Sequence, residues 1–126
     1  MARTAVTVTT LTGNAAVADV TDTTIDATNS HKITPPAGAM VEDLVLRITN
    51  TTASTKVATV KAGANPPASD APADLAVSLT AGNVTAQVKF VRLESGRYVQ
   101  NNGDVNVDIA AGMTGTIGAF YCPRSI

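Results

Sequence analysis

Hydrophobic and polar residues alternate along several short stretches of this chain, with the period of two that is typical of β-strands. In DLVLRITN, residues 43–50, leucine and isoleucine alternate with valine, arginine and threonine. Similar patterns occur in TAVTVTTL, STKVATVKA, DLAVSLT, VTAQVKFVRL, GRYVQ, DVNVDIA and TGTIGAFY, and VTDTTIDA is a weaker candidate. No stretch has a convincing helical period, so the pattern predicts an all-β protein.

Turn-forming residues separate these stretches at short intervals, in segments such as TGN, TPPAGA, TAGN, ESG, NNGD and AAGMTG. Roughly eight to ten short strands at this spacing predict an antiparallel β-sandwich or a jelly-roll-like barrel. The chain has no internal repeat and no sign of a domain boundary. We therefore expect a single β domain that spans residues 1–126.

Two segments differ from this regular pattern. Residues 1–12 form either an N-terminal arm or an edge strand, and both alternatives stay open. The longest irregular segment is GANPPASDAPAD, residues 63–74, whose prolines lack the backbone donor that a central strand requires. It is predicted to be a long surface loop, either functional or a plain connection between strands.

The stretch YVQNNGDVNVD, residues 98–108, predicts a β-hairpin whose register follows from its valines. A two-residue turn would place the valines of the two strands on opposite faces. A three-residue loop, residues 101–103, instead pairs Val99 with Val105, so that apolar side chains meet. Gly103 then occupies the left-handed position of the loop, which glycine adopts at little cost.

The other face of this hairpin carries three side chains that end in oxygen, Asp104, Asn106 and Asp108. Successive side chains on one face of a strand lie about 6–7 Å apart. Calcium requires its ligands within about 2.3–2.6 Å of one point. We therefore predict no metal site here and interpret these residues as a solvated or subunit-facing surface. The acidic stretch DVTDTTID lacks the glycine and glutamate positions of an EF-hand loop.

Candidate catalytic residues are few. His31 is the only histidine, and no serine or cysteine nucleophile lies in a recognisable motif, so we expect a surface histidine without a catalytic role. Cys122 is the only cysteine, which excludes an intrachain disulfide, and we expect a small, partly buried thiol. The glycine-rich stretch AAGMTGTIGA lies between and within predicted strands, where it does not form a phosphate-binding loop. We predict no catalytic residue, no metal and no cofactor.

Composition points towards association with other protein. Hydrophobic residues make up 44% of the chain, but only 3% are aromatic, so a core of valine and alanine buries less apolar area per residue than one of leucine and phenylalanine. Charged residues are 15%, against about 25% in an average soluble domain. The basic residues are scattered, which argues against nucleic acid, and no apolar run approaches the ~20 residues of a membrane span. We infer a marginally stable subunit that buries further surface against a partner.

Two long stretches resemble the capsid decoration, or cement, proteins of tailed bacteriophages. They are ITPPAGAMVEDLVLRITNTTASTKVATVKAGANPPA and the ending LESGRYVQNNGDVNVDIAAGMTGTIGAFYCPR, which together cover most of residues 33–124. The resemblance rests on overall texture and on this ending, and the family has no catalytic residues to carry over. It implies a β-sandwich or barrel-like body on the outer surface of the capsid, often a trimer, that grips the shell through loops or an N-terminal arm.

The resemblance therefore implies a structural virion protein that is made in the host cytoplasm and bridges subunits of the major capsid protein. It implies a homotrimer, the state that such proteins often adopt, and a protein that is not an enzyme. The scattered basic residues and the short apolar runs predict that it binds neither nucleic acid nor membrane. Two alternatives stay open: another virion component, such as a tail or fibre protein, and an Ig-like or carbohydrate-binding module. The residues expected at the capsid or subunit interface lie in the N-terminal segment and the long loop: Arg3, Thr4, Val6, Thr7, Asn65, Pro66 and Pro67.

Overall fold

The computed structural model describes residues 2–18, 21–36, 41–63, 74–93, 98–100 and 102–123. These residues contain ten strands and a short 3-10 helix, Val41–Asp43, so the prediction of an all-β fold with about eight to ten short strands is confirmed. No helix in this part of the chain is long and apolar enough to cross a membrane. The strands are β1 (Thr4–Ala5), β2 (Val8–Thr10), β3 (Thr23–Thr24), β4 (His31–Ile33), β5 (Leu44–Asn50), β6 (Lys56–Val60), β7 (Leu75–Leu79), β8 (Gln87–Arg92), β9 (Val105–Ile109) and β10 (Gly115–Tyr121).

The strands form two sheets that pack against each other as a sandwich. The first sheet has the order β1-β4-β9-β6-β7, and the second has the order β2-β10-β5-β8, with β3 also paired to β10. Strand β10 is therefore central in the second sheet, where it contacts β2, β3 and β5. A jelly-roll arrangement of these strands stays a prediction.

The strand pairs are antiparallel, as predicted, except for the two that involve the N-terminal strands. Strand β1 runs parallel to β4, with Thr4 opposite His31, and β2 runs parallel to β10, with Val8 opposite Ala119. Both sheets are therefore mixed. Parallel neighbours cannot be joined by a tight hairpin turn, so such pairs bring together strands that are distant in sequence.

The core lies between the sheets and follows the alternation seen in the sequence. Burial alternates along β5 and β9, and Val77 and Leu79 of β7 are also buried. Where one face of a strand is apolar and the other polar, as in β9, a shift by one residue would expose the whole apolar set, and the register is thereby fixed. The fully buried aliphatic side chains include Ile33, Leu44, Leu46, Ile48, Val60, Leu79, Val105, Val107 and Ile117.

Strand β8 differs from the others in the direction of its apolar residues. The alternation in VTAQVKFVRL predicts Val84, Ala86, Val88 and Phe90 on one side. In β8 itself Val88 and Phe90 face outward and are 46% and 66% exposed, and Val84, in the bend before the strand, is 92% exposed. The inward positions are held by Val91 and Leu93, which are buried. The second sheet consequently has apolar side chains on both of its faces.

The N-terminal segment contributes one edge strand to each sheet. Between β1 and β2, the side chain of Val6 enters the core and is only 4% exposed. Its backbone N–H donates to the Lys32 carbonyl at 2.9 Å, and the N–H of Leu11 donates to the Tyr121 carbonyl at 2.8 Å. The described residues of this segment are thus bonded to both layers of the sandwich.

The predicted register of the hairpin before β9 is confirmed. Val99 forms an antiparallel bridge to Val105, and the backbone N–H of Gln100 donates to the Asp104 carbonyl at 2.8 Å. Gly103 has a φ of +88°, the left-handed conformation that the three-residue loop requires. Apart from the glycine and its two chain neighbours, no heavy atom lies within 4 Å of the position that a Cβ would occupy, so the requirement is one of backbone conformation.

Candidate functional site

The outer face of the second sheet carries an exposed group of apolar side chains. The strand register places Arg47 of β5 between Gly118 of β10 and Phe90 of β8. One step along the sheet, Phe120 lies opposite Val45. These residues point outward because the alternate residues of β5 point into the core.

These side chains line a shallow depression with a volume of about 300 Å³. Phe90 is 66% exposed and Leu11 is 38% exposed. Removing the apolar area of either side chain from water would lower the free energy. Apolar side chains that share one surface depression make this a candidate contact site for another protein. We call the lining residues the apolar patch: Leu11, Val45, Arg47, Phe90, Phe120 and Cys122.

The charge of Arg47 is balanced within the chain. Its Nε and Nη2 donate to the two carboxylate oxygens of Asp22, at 3.0 and 2.8 Å, in a bidentate ion pair. Its guanidinium carbon also lies 4.9 Å from the centre of the Phe120 ring, within the range of a cation–π contact. The planar guanidinium of Arg47 therefore lines the patch beside the Phe120 ring. Its charge is already balanced by Asp22.

Gly118 makes room for this ion pair. A Cβ at Gly118 would overlap the Oδ1 atom of Asp22, so the carboxylate lies directly against the strand where a side chain is missing. Asp22 precedes β3, which pairs with β10, and this pairing brings the carboxylate over the sheet. The side chain of Asp22 is only 11% exposed as a result.

The outer face of the first sheet is charged. Arg3 Nη2 contacts Asp108 Oδ1 at 2.6 Å, Lys61 Nζ lies 3.8 Å from Asp108 Oδ2, and Lys61 also contacts Asp74 Oδ2 at 2.6 Å. The hydrogen bond to Asp74 raises the pKa of Lys61, while the backbone N–H of Ala62 and then Lys61 lower the pKa of Asp74. These side chains are partly exposed, and ion pairs at the surface contribute little to stability.

The residues predicted at an interface have diverse environments. Arg3 is in the ion pair just described, the Thr4 hydroxyl donates to Asp26 Oδ2 at 2.6 Å, and Val6 is buried. Thr7 is exposed, and its backbone N–H lies 3.5 Å from the Thr23 hydroxyl. Of the predicted interface residues described so far, Arg3 is therefore paired with Asp108, and Thr7 is on the surface. The remaining three predicted residues lie outside the described residues: Asn65, Pro66 and Pro67.

Two predictions about reactive side chains are wrong. His31 is not on the surface but is fully buried, because it points inward from β4 on the same side as Ile33. Cys122 is exposed and not partly buried. It follows β10 two residues after Phe120, and it shares the outer face and lines the apolar patch.

The interpretation of the acidic hairpin face as a solvated or subunit-facing surface is wrong for one of its residues. Asp104 is only 7% exposed, and its Oδ1 accepts a hydrogen bond of 2.7 Å from the Thr34 hydroxyl. Asn106 and Asp108 lie on the outer face of β9 and are partly buried. Within the described residues, no group of three or more histidine, cysteine, aspartate and glutamate side chains could hold a metal ion.

The sequence reasoning did not identify the apolar patch. The alternation in β8 indicates that Val88 and Phe90 share a face, but Val91 and Leu93 form a second apolar set, and either could face the core. Comparisons with protein-family models, with curated proteins and with solved structures found no match. The function is therefore inferred from this surface and from the resemblance noted in the sequence.

Proposed function

We propose that this protein is a structural component of a tailed-phage virion, which decorates the outer surface of the capsid and stabilises it by bridging subunits of the major capsid protein. The apolar patch is the observation that carries this proposal. The resemblance of the two long stretches to decoration proteins supports it, and so does the sandwich fold. In this role the protein acts by binding alone.

The patch has the composition of an interface centre. Two phenylalanines, Phe90 and Phe120, stand beside aliphatic side chains and an arginine whose charge is already paired. Aromatic residues and arginine are enriched among the few residues that contribute most to binding. A standard interface buries about 800 Å² on each partner, so the patch forms the centre of a larger contact.

Strand β8 borders the patch and suggests how the capsid protein binds. It is the last strand in the order of the second sheet, so its outer edge offers backbone N–H and C=O groups. We propose that an extended segment of the major capsid protein adds to this edge, with its apolar side chains against Phe90. Backbone hydrogen bonds then contribute affinity and the patch contributes specificity.

The N-terminal segment and residues 63–74, which the sequence suggested as capsid contacts, are weaker candidates than the patch. Val6 is in the core, and Arg3 and Thr4 are bonded to Asp108 and Asp26, so Thr7 is the exposed residue among the four predicted N-terminal contacts. The long segment at residues 63–74 stays a candidate for a second contact. As a homotrimer, the protein would engage several capsid subunits at once, and linked weak contacts then give tight attachment through effective concentration.

The variant Phe90→Ser tests the patch, with Val84→Ser as the matched control. Both side chains are exposed, at 66% and 92%, but Val84 is not among the residues that line the patch. The measurement is cosedimentation of purified protein with undecorated capsids of its own virus. We expect Phe90→Ser to bind at least about tenfold more weakly, the equivalent of about 1.4 kcal/mol, and Val84→Ser to bind like the parent protein. Melting temperatures of both variants should stay close to that of the parent.

Two outcomes contradict the proposal in different ways. If both variants bind capsids as well as the parent protein, the capsid contact lies elsewhere, and residues 63–74 are tested next. If the parent protein binds no undecorated capsid, the decoration role is wrong. Binding to purified tails instead of capsids would indicate the tail or fibre alternative.

A further inference from the structure

The only histidine of the chain joins the N-terminal strand to the first sheet. His31 lies on β4, opposite Thr4 of the parallel strand β1, and is fully buried. Strand β1 has only two residues, Thr4–Ala5. The backbone hydrogen bonds at its two ends run from Thr4 N–H to the Ser30 carbonyl and from Val6 N–H to the Lys32 carbonyl, both at 2.9 Å. With so few bonds, the attachment of β1 depends on the side chains around it.

Both ring nitrogens of His31 are used in hydrogen bonds to the backbone. Nε2 lies 2.9 Å from the backbone nitrogen of Asp26, which can only donate, so Nε2 accepts. Nδ1 lies 3.1 Å from the Thr4 carbonyl oxygen, which can only accept, so Nδ1 carries the proton and donates. This pair of partners fits the neutral ring in one tautomer and does not fit the protonated ring.

A second proton on His31 would have no acceptor. It would reside on Nε2 and face the N–H of Asp26, so that one hydrogen bond is replaced by a contact between two donors. The positive charge would also be buried. Burial lowers the pKa of His31, while the hydrogen bond to the Thr4 carbonyl and the charge of Asp26 partly oppose this effect. The neutral ring is therefore the form that the fold accommodates.

Several charged side chains surround His31 in the described part of the chain. The Thr4 hydroxyl, followed by the backbone and side chain of Asn29, holds the pKa of Asp26 far below its usual range, so this carboxylate stays ionised. Arg3, which precedes β1, donates to the His31 carbonyl at 3.4 Å and is paired with Asp108 of β9. Lys32 follows His31 on β4, points to the opposite face of the strand and is half-buried. Lys61, which follows β6, also lies near Asp108, with its Nζ 3.8 Å from Oδ2.

We propose that His31 is an acid-sensitive latch, which holds β1 against the first sheet while the ring is neutral and releases it when the ring is protonated. Protonation of Nε2 removes the bond from the Asp26 N–H, and a charged ring that leaves this buried position would then give up its bond to the Thr4 carbonyl as well. Val6 follows β1 and lies in the core, so its burial would be lost in the same event. The strands β5 and β10 in the second sheet make no hydrogen bond to this ring and would stay paired.

The direction of the pH effect follows from linkage. A histidine whose folded-state pKa is lowered takes up its proton less readily in the folded protein than in the open state. Its contribution to stability is fully present above the ordinary histidine pKa of about 6.5. The contribution is lost as the pH falls from there through the lowered pKa of the folded state.

Amide hydrogen exchange of the full chain tests the latch. Protection factors, which correct for the intrinsic pH dependence of exchange, are measured between about pH 7.5 and pH 5. We expect the Val6 amide to lose protection at least about tenfold over this range, while the Ile117 amide in β10 keeps its protection. In the variant His31→Gln, whose neutral amide can accept and donate, the protection of Val6 should not depend on pH. Constant protection of Val6 in the parent protein, or an equal loss in His31→Gln, would overturn the proposal.

A second measurement covers the case in which His31→Gln does not fold. The ¹⁵N shifts of the His31 ring in the parent protein report its tautomer and its titration. We expect the Nδ1–H tautomer at pH 7.5, with the ring becoming protonated in the same pH interval in which Val6 loses protection. A ring that becomes protonated while Val6 stays protected would show that His31 is buried without acting as a latch.

Discussion

At Gly118 the absence of a side chain decides how a neighbouring ion pair is arranged. The carboxylate of Asp22 occupies the space where a Cβ would stand, and from there it binds both donors of Arg47. Arg47 in turn supports the ring of Phe120. One glycine on the outer face of β10 thereby shapes the floor of the apolar patch.

We therefore predict that Gly118→Ala lowers the free energy of unfolding by about 1–3 kcal/mol, because the new methyl group displaces Asp22. Denaturant unfolding measures the change. The control is the same substitution in an Asp22→Ala background, where the space is free and the further cost should fall to about 0.5 kcal/mol or less. If the two substitutions prove additive, Asp22 does not lie against Gly118.

The residue scale is also where sequence reasoning was least successful. The burial of His31 depends on a backbone N–H at Asp26 and a carbonyl at Thr4, and neither partner is visible in the local pattern around NSHKITPP. Alternation with Ile33 in β4 is a signal, but a three-residue strand is too short for a clear period. The environment of a single polar side chain is set by tertiary contacts.

At the scale of elements, the segment from β1 to β2 passes from one sheet to the other, and Val6 fills the space between them. We predict that Val6→Ala lowers the free energy of unfolding by about 1–3 kcal/mol, because it removes buried methyl groups and leaves a cavity. Val84→Ala removes the same atoms from a side chain that is 92% exposed and should change stability by less than about 0.5 kcal/mol. Thermal unfolding of both variants makes the comparison, and equal melting temperatures would show that Val6 is not a core residue.

Local pattern predicted the elements more successfully than their partners. The apolar faces of β5, β7 and β9 and the three-residue loop at Gly103 follow from alternation and turn chemistry alone. The direction of β8 does not, since both of its faces carry apolar residues. The parallel partners of β1 and β2 could not be predicted, because no local signal relates Thr4 to His31 or Val8 to Ala119.

At the scale of the whole molecule, the core is aliphatic and the surface carries few charges. Only 3% of the residues are aromatic, and the most exposed phenylalanine lies in the apolar patch. We predict that the isolated protein self-associates, because a single subunit gains little from so small an apolar core, and the resemblance to decoration proteins implies that the oligomer is a homotrimer. Sedimentation equilibrium at micromolar concentration should give three times the mass of one chain, and a single monomeric species would contradict a stable trimer.

The variant Phe90→Ser separates the two surfaces in the same experiment. If the patch binds the capsid protein, Phe90→Ser should sediment as a trimer like the parent protein. Dissociation of the variant would instead assign the patch to the contact between subunits.

The central position of β10 has a consequence for biosynthesis. All of its partners, β2, β3 and β5, are translated before it, and Val8 precedes its partner Ala119 by 111 residues. At a translation rate of about 5–20 residues per second, the interval between the synthesis of β2 and that of β10 is roughly 6–22 s. The second sheet therefore cannot close while the ribosome is still short of β10, and in that interval the nascent chain offers unpaired strand edges to the chaperones of the cell.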